Sequence, residues 1–135
     1  MLAGAYVLRP APEARVTIAV AGAPVVEALQ AGDELGAEVV CLTSADLVFR
    51  ALQARAGLGP GGCDVLERVF ATPRPLVAVV DGHPHTLSFL AGVNGTPIAC
   101  LGVTEFGQSG DITDLYRHHG IDAETIVGAA LDLAG

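Results

Sequence analysis

A doubly wound α/β sandwich, with a mostly parallel sheet held between two helical layers, is the fold class this sequence predicts. Three observations predict it. Short unbroken apolar runs recur at residues 16–21 (V-T-I-A-V-A), 38–43 (E-V-V-C-L-T), 76–80 (L-V-A-V-V) and 97–103 (P-I-A-C-L-G-V). A strand covered on both faces has no polar side to show, so such runs mark strands inside a parallel sheet. The stretches between them carry apolar residues at helical spacing. Alternation of the two kinds of element implies parallel strands joined by helical crossovers, in the manner of Rossmann-like folds.

The elements follow in chain order. Gly4-Ala5-Tyr6-Val7-Leu8 reads as a short edge strand closed by Pro10 and Pro12, because proline cannot donate to a sheet ladder and settles at edges. The sheet then has about five strands, one of them an antiparallel edge. The run at 16–21 ends on Gly22, and Pro24 suits the first turn of a helix with Val25, Val26, Leu29 and Leu35 on its apolar face. Gly36 stops that helix. After the strand at 38–43, Ser44 is an N-cap for a helix from Ala45 to Ala56. Residues 57–62 form a loop, and a short helical piece follows over 64–70. The strand at 76–80 ends on Asp81-Gly82, and a helix runs from His83 to Ala91 with Pro84 in its first turn. The strand at 97–103 leads to two last helices. One begins near Asp111 with Asp114 at capping-box spacing, the other at Asp122, and Gly120 separates them. With no internal repeat, linker or low-complexity tract, residues 1–135 read as one domain. Its start almost directly on structure suits a domain cut from a larger protein.

Composition narrows the function. A chain of 135 residues is long enough to close a hydrophobic core. Apolar residues make up 51% and charged residues 16%, a surplus that implies surface covered by other protein. Trp is absent and aromatics are few, so the core is built of Ala, Val and Leu. The net charge is −8 and all seven basic residues are Arg, which excludes the basic footprint that nucleic acid or an anionic membrane requires. The absence of Lys rules out a P-loop, a Schiff base and the lysine of a phospho-receiver domain. Cys41, Cys63 and Cys100 are dispersed and form no CxxC, so a redox or zinc-ribbon role has no support. Cys41 and Cys100, inside apolar runs, read as buried inert thiols, and a reducing cytoplasm fits. There is no signal-peptide layout and no apolar run of the roughly 18 residues a membrane span needs.

Ligands of open α/β sheets bind beyond the carboxyl ends of the strands. Those ends are Gly22-Ala23-Pro24, Thr43-Ser44, the segment Asp81-Gly82-His83-Pro84-His85, and Glu105-Phe106-Gly107. The Gly22 turn offers helix-start amides to an anion, though it is one glycine deep and Pro24 removes a donor. Gly57-Leu58-Gly59-Pro60-Gly61-Gly62 spells GxGxxG, but it follows a helix and contains a proline, so it fails as a dinucleotide fingerprint. Asp81, His83 and His85 are the most chemically suggestive cluster, with ligand types suited to zinc or iron. A metal site needs further convergent ligands, and His118 and His119 lie far along the chain. In the blander account Asp81 caps the following helix and the histidines line a polar interface. No G-x-S-x-G elbow supports a nucleophilic Ser109.

The segment L-G-V-T-E-F-G-Q-S-G-D-I-T-D-L-Y-R-H-H-G-I-D-A-E-T-I-V-G-A-A-L, residues 101–131, resembles the C-terminal domain of transketolase-type thiamine-diphosphate enzymes. Transketolases close with a strand, an acidic or polar residue, Phe-Gly-x-Ser, a helix with Leu and an aromatic, then Gly-Ile/Phe-Thr/Asp and a last Val- and Ala-bearing helix. Residues 4–8 resemble the start of the same domain, so the likeness spans about the whole chain, more loosely in the middle. The form Glu105-Phe106-Gly107-Gln108-Ser109-Gly110-Asp111 is closest to the single-chain decarboxylating component of pyruvate dehydrogenase complexes, with transketolase the near alternative. The resemblance implies a domain that supports the parent's homodimer, packs on the preceding domains and holds no catalytic, cofactor or metal residue. Thiamine diphosphate and magnesium lie between those preceding domains, whose G-D-G…N-N signature is absent here. Asp81, His83, His85, Gln108 and Ser109 remain as candidates for a polar contact or ligand. The competing reading is a free-standing small-molecule or metal-binding module built on residues 81–85.

Overall fold

The computed structural model describes residues 4–102 and 122–134. Its elements are β1 (Ala5–Arg9), β2 (Thr17–Ala21), α1 (Val25–Leu35), β3 (Glu38–Leu42), α2 (Ala45–Arg55), α3 (Asp64–Val69) and β4 (Leu76–Val80). A 3-10 segment (Pro84–Leu90), α4 (Ala91–Asn94), β5 (Ile98–Leu101) and α5 (Ala123–Ala134) follow. The five strands lie in the order β1-β3-β2-β4-β5. All neighbours are parallel except β1, which runs antiparallel to β3 at the edge. The predicted three-layer, doubly wound sheet with one antiparallel edge is the fold adopted.

The unbroken apolar runs have two faces to fill. Ile18, Val20, Val39, Val77 and Val79 point to one side, where Ala28 and Ala31 of α1 and Ile126 and Ala130 of α5 cover them. Ala19, Val40, Leu42, Ala78 and Val80 point to the other, beneath Val48, Leu66, Leu87 and Leu90 from α2, α3 and the 3-10 segment. Each fully buried Val or Leu is worth about 1.5–3 kcal/mol, and the buried Thr17 of β2 lies where Arg74 reaches its hydroxyl.

Of the apolar face expected on α1, Val25, Leu29 and Leu35 pack against the core and Val26 does not. Val26 is 60% exposed, and the buried positions are Ala28, Ala31 and Gly32. The helix lies so close to β3 that a Cβ on Gly32 would stand 2.6 Å from Val39 Cγ2. Close packing selects small residues, and Val26 is turned out. Gly36 ends α1 in the left-handed region, as expected, with its amide bonded to the Gly32 carbonyl. Arg9 fastens edge strand β1 to this layer through Asp33 at 2.9 Å and the Ala37 carbonyl at 2.6 Å. Across the β1–β3 pair, Tyr6 faces Cys41, and a hydrogen bond to that thiol holds its phenol above the usual range.

Ser44 caps α2 as predicted, its Oγ accepting from the Leu47 amide. Asp122 likewise opens α5, taking the Ile126 amide on its carbonyl and the Thr125 hydroxyl on its carboxylate. Residues 83–91, expected to be an α-helix, instead form the 3-10 segment before a short α4. The Ser88 hydroxyl donates to the His85 carbonyl, which competes with the regular ladder. The three-residue period also puts Leu87 and Leu90 together in the core. The helix expected near Asp111 and the turn at residues 105–111 lie outside the described residues. No helix among the described residues is long and apolar enough to cross a membrane.

Cys41 and Cys100 are half-buried rather than sealed in the core. Burial still pushes the Cys100 thiol up. The unfolded chain therefore ionises this group first. Its contribution to stability is complete below the ordinary thiol range of about 8.5 and is lost as pH rises through the folded value. Cys100 should accordingly be alkylated by iodoacetamide more slowly than a free thiol at pH about 8.5, and the gap should close only at higher pH. Mass-spectrometric rates at that site check this.

Candidate functional site

The chain leaves β2 for α1 on one face of the sheet and leaves β4 for the 3-10 segment on the other. The crevice beyond the ends of these adjacent strands is the topological switch point, where an α/β sheet accepts a ligand. Gly22, Ala23 and Pro24 form one wall, and Asp81 and Gly82 the other. The structure fills it from within. Asp81 Oδ2 accepts the Ala23 amide at 3.1 Å, and a Cβ on Gly22 would meet the Asp81 carboxyl carbon at 2.6 Å. Gly22 also has φ 83°, where other residues are strained. The seat that the Gly22 turn offered to an anion is held by the chain's own carboxylate.

This corrects the expectation that Asp81 caps the helix after it. Side chains alternate along a strand, so Asp81 continues the face of Val77 and Val79, which α1 covers. The 3-10 segment lies on the opposite face and takes its cap from His83, whose Nδ1 accepts the His85 amide at 3.3 Å. Replacing Asp81 by alanine should cost about 1 kcal/mol, the worth of one such exposed hydrogen bond, and asparagine should cost less because it keeps an acceptor. Urea denaturation of the two variants measures the difference.

His83 and His85 are brought together, with ring centroids 4.2 Å apart and their Nδ1 atoms in contact at 2.5 Å. Two donors on one tetrahedral zinc stand about 3.3 Å apart, given bonds near 2.05 Å, so the pair faces itself rather than a shared ion through these atoms. Asp81 is turned to Ala23. Among the described residues no three His, Cys, Asp or Glu side chains converge on a possible ion. His118, His119, Gln108 and Ser109 lie outside the described residues. Neither the crevice, filled by Asp81, nor any described cluster fits a magnesium diphosphate.

The loop over residues 57–62 joins α2 to α3 and follows no strand, in keeping with its failure as a fingerprint. One residue escaped sequence reasoning altogether. Arg74 is 7% exposed and sits at the amino ends of the central strands. It pairs with Glu38 at 3.0 Å and reaches the carbonyls of Ala11 and Pro12. Its only sequence signal is an Arg between two prolines directly before a buried strand.

The comparisons with known proteins agree with this architecture. The model of the transketolase-like TK C-terminal domain matches residues 4–122. No curated protein matches the chain. Among solved structures, transketolase from Leishmania mexicana superposes with a TM-score of 0.69 at 24% identity, over 98% of this chain and 18% of that one. Transketolase from Campylobacter jejuni gives 0.67 at 21%, over 96% and 18%. A split-gene transketolase described as an inactive beta4 tetramer gives 0.66 at 22%, over 96% and 42%. The chain thus spans less than half the length of these structures, and at such identities they establish the fold. With the family match running through 119 of 135 residues (4 to 122 inclusive), the chain belongs to the transketolase C-terminal domain family.

Proposed function

We propose that this chain is the non-catalytic C-terminal domain of a thiamine-diphosphate-dependent enzyme that acts on 2-oxo acids or ketose phosphates. The observation that carries the reading is the switch-point crevice closed by Asp81 on Ala23. The place where a doubly wound sheet puts its ligand is spent on tying β4 to the start of α1, as suits a domain whose task is to hold shape. Thiamine diphosphate and magnesium belong to the two preceding domains, and the domain's uncovered apolar residues, Val26, Leu58 and Leu131 among them, suit packing on those domains or across a homodimer. The run Glu105-Phe106-Gly107-Gln108-Ser109-Gly110-Asp111 favours the pyruvate dehydrogenase type of parent over a transketolase.

Calorimetric titration of the chain with thiamine diphosphate and magnesium should show no binding. Mixed with a protein comprising the preceding domains, the chain should co-elute as a complex on gel filtration. Cofactor bound by the chain alone, or stoichiometric zinc lost on replacing His83 and His85, would overturn the reading. Pyruvate-dependent reduction of an electron acceptor by the reassembled enzyme, set against ketol transfer, decides the type of parent.

A further inference from the structure

At the β1 edge of the sheet, α3 packs against both α2 and β1. A cavity of about 340 Å³ opens between the two helices and the loop that joins them. Its apolar wall is Leu47, Ala51 and Val65, and its polar groups are Arg50, Arg68 and Asp64. Its volume falls at the lower end of the range for small-molecule sites, and its lining is as polar as it is apolar, open toward solvent.

Two of the chain's seven cations converge on this hollow in a protein of net charge −8. Among the described residues Arg50 is engaged only by Asp46, one helical turn back, in a pair whose side chains are 71% and 68% exposed. Such a pair is worth at most about 1 kcal/mol and yields readily to a stronger anion. Arg68 forms no ion pair among the described residues. Gly61 and Gly62 line the same cavity, and among the described residues their amides have no acceptor. A Cβ on either would meet nothing within 4 Å, so packing does not demand glycine at Gly62, and the backbone stands open to a ligand. Gly61, at φ 100°, holds the turn that exposes it.

We propose that this cavity binds a small, hydroxylated phosphomonoester. The guanidinium groups of Arg50 and Arg68 take the phosphate, which suits their forked donors. The amides of Gly61 and Gly62 supply further donors, as successive backbone N–H groups do at anion sites. Asp64, an acceptor on the rim, takes a ligand hydroxyl and disfavours a bare anion.

The test is calorimetric titration of the 135-residue chain with glycerol 3-phosphate, inorganic phosphate and glycerol at low salt, with amide NMR spectra alongside. Glycerol 3-phosphate should saturate, shift the Gly61 and Gly62 amides, and bind more tightly than phosphate, while glycerol gives no heat. Arg68→Met and Arg50→Met should each weaken binding about tenfold or more, and Asp64→Asn should narrow the preference over phosphate. Arg15→Met, at a separate surface, should leave binding unchanged. Unaltered amide spectra elsewhere verify that each variant is folded, and Gly62→Val provides a further block should an arginine variant unfold. Absence of saturable binding, or equal weakening by Arg15→Met, overturns the proposal. Neither result bears on the domain's structural role, which rests on the crevice between β2 and β4.

Discussion

Alanine at Arg74 is expected to destabilise the domain by about 3–5 kcal/mol, the range for breaking one side of a buried ion pair. The guanidinium reaches four acceptors: Glu38 at 3.0 Å, Thr17 Oγ1 at 3.5 Å, and the carbonyls of Ala11 and Pro12 at 3.3 and 3.1 Å. Thr17 begins β2, Glu38 begins β3, and Arg74 itself leads into β4. One side chain therefore clamps the amino ends of three adjacent parallel strands. Its removal strands a carboxylate whose side chain is 16% exposed, and it leaves two carbonyls short of a donor. Arg74→Lys should rescue little, since an ammonium cannot span acceptors lying on several sides of a planar fork. The double variant Arg74→Met with Glu38→Met should recover much of the loss, because an apolar pair leaves no charge behind. Urea midpoints for the four proteins make the comparison. A loss under about 1 kcal/mol for Arg74→Ala would show that water already serves these groups.

Arg74 also marks what the sequence could not show. The sheet was legible because strands buried on both faces are mostly apolar: 76–80 is apolar throughout, and 16–21 is apolar except at Thr17. The caps at Ser44 and Gly36 were legible because they act within three or four residues of themselves. What failed depends on distance through space. Asp81 reads as the cap of its own helix until the strand pleat is known to aim it at Ala23, a residue 58 positions away. Val26 looks like core by size, but the closeness of α1 to Val39 reserves that face for Ala28, Ala31 and Gly32. Arginine is seldom buried unless paired, and the partners of Arg74 lie on three separate segments. The run at 105–111, from which the family resemblance was read, lies outside the described residues.

Gly102→Ala should be a strongly damaging glycine substitution, costing about 3 kcal/mol, the upper part of the usual range for overpacking. Gly102 is buried just after β5, and an added Cβ would overlap the Gly82 carbonyl oxygen and stand 2.8 and 2.9 Å from Pro84 N and Cα. All three are backbone atoms, and Pro84 is further stiffened by its ring, so no rotamer change relieves the contact. The β4 loop must move as a unit, and with it Asp81, which holds Ala23. The substitution should therefore shift the Ala23 amide resonance across the sheet as well as lower the urea midpoint. Gly92→Ala is the contrast. Its Cβ would find only Leu52 at 3.6 Å, and in a helix alanine gains up to about 1 kcal/mol over glycine, so that variant should be neutral or more stable. Equal stability of the two variants would mean that β5 does not approach the β4 loop so closely, and the closed switch-point crevice would lose its support from that side.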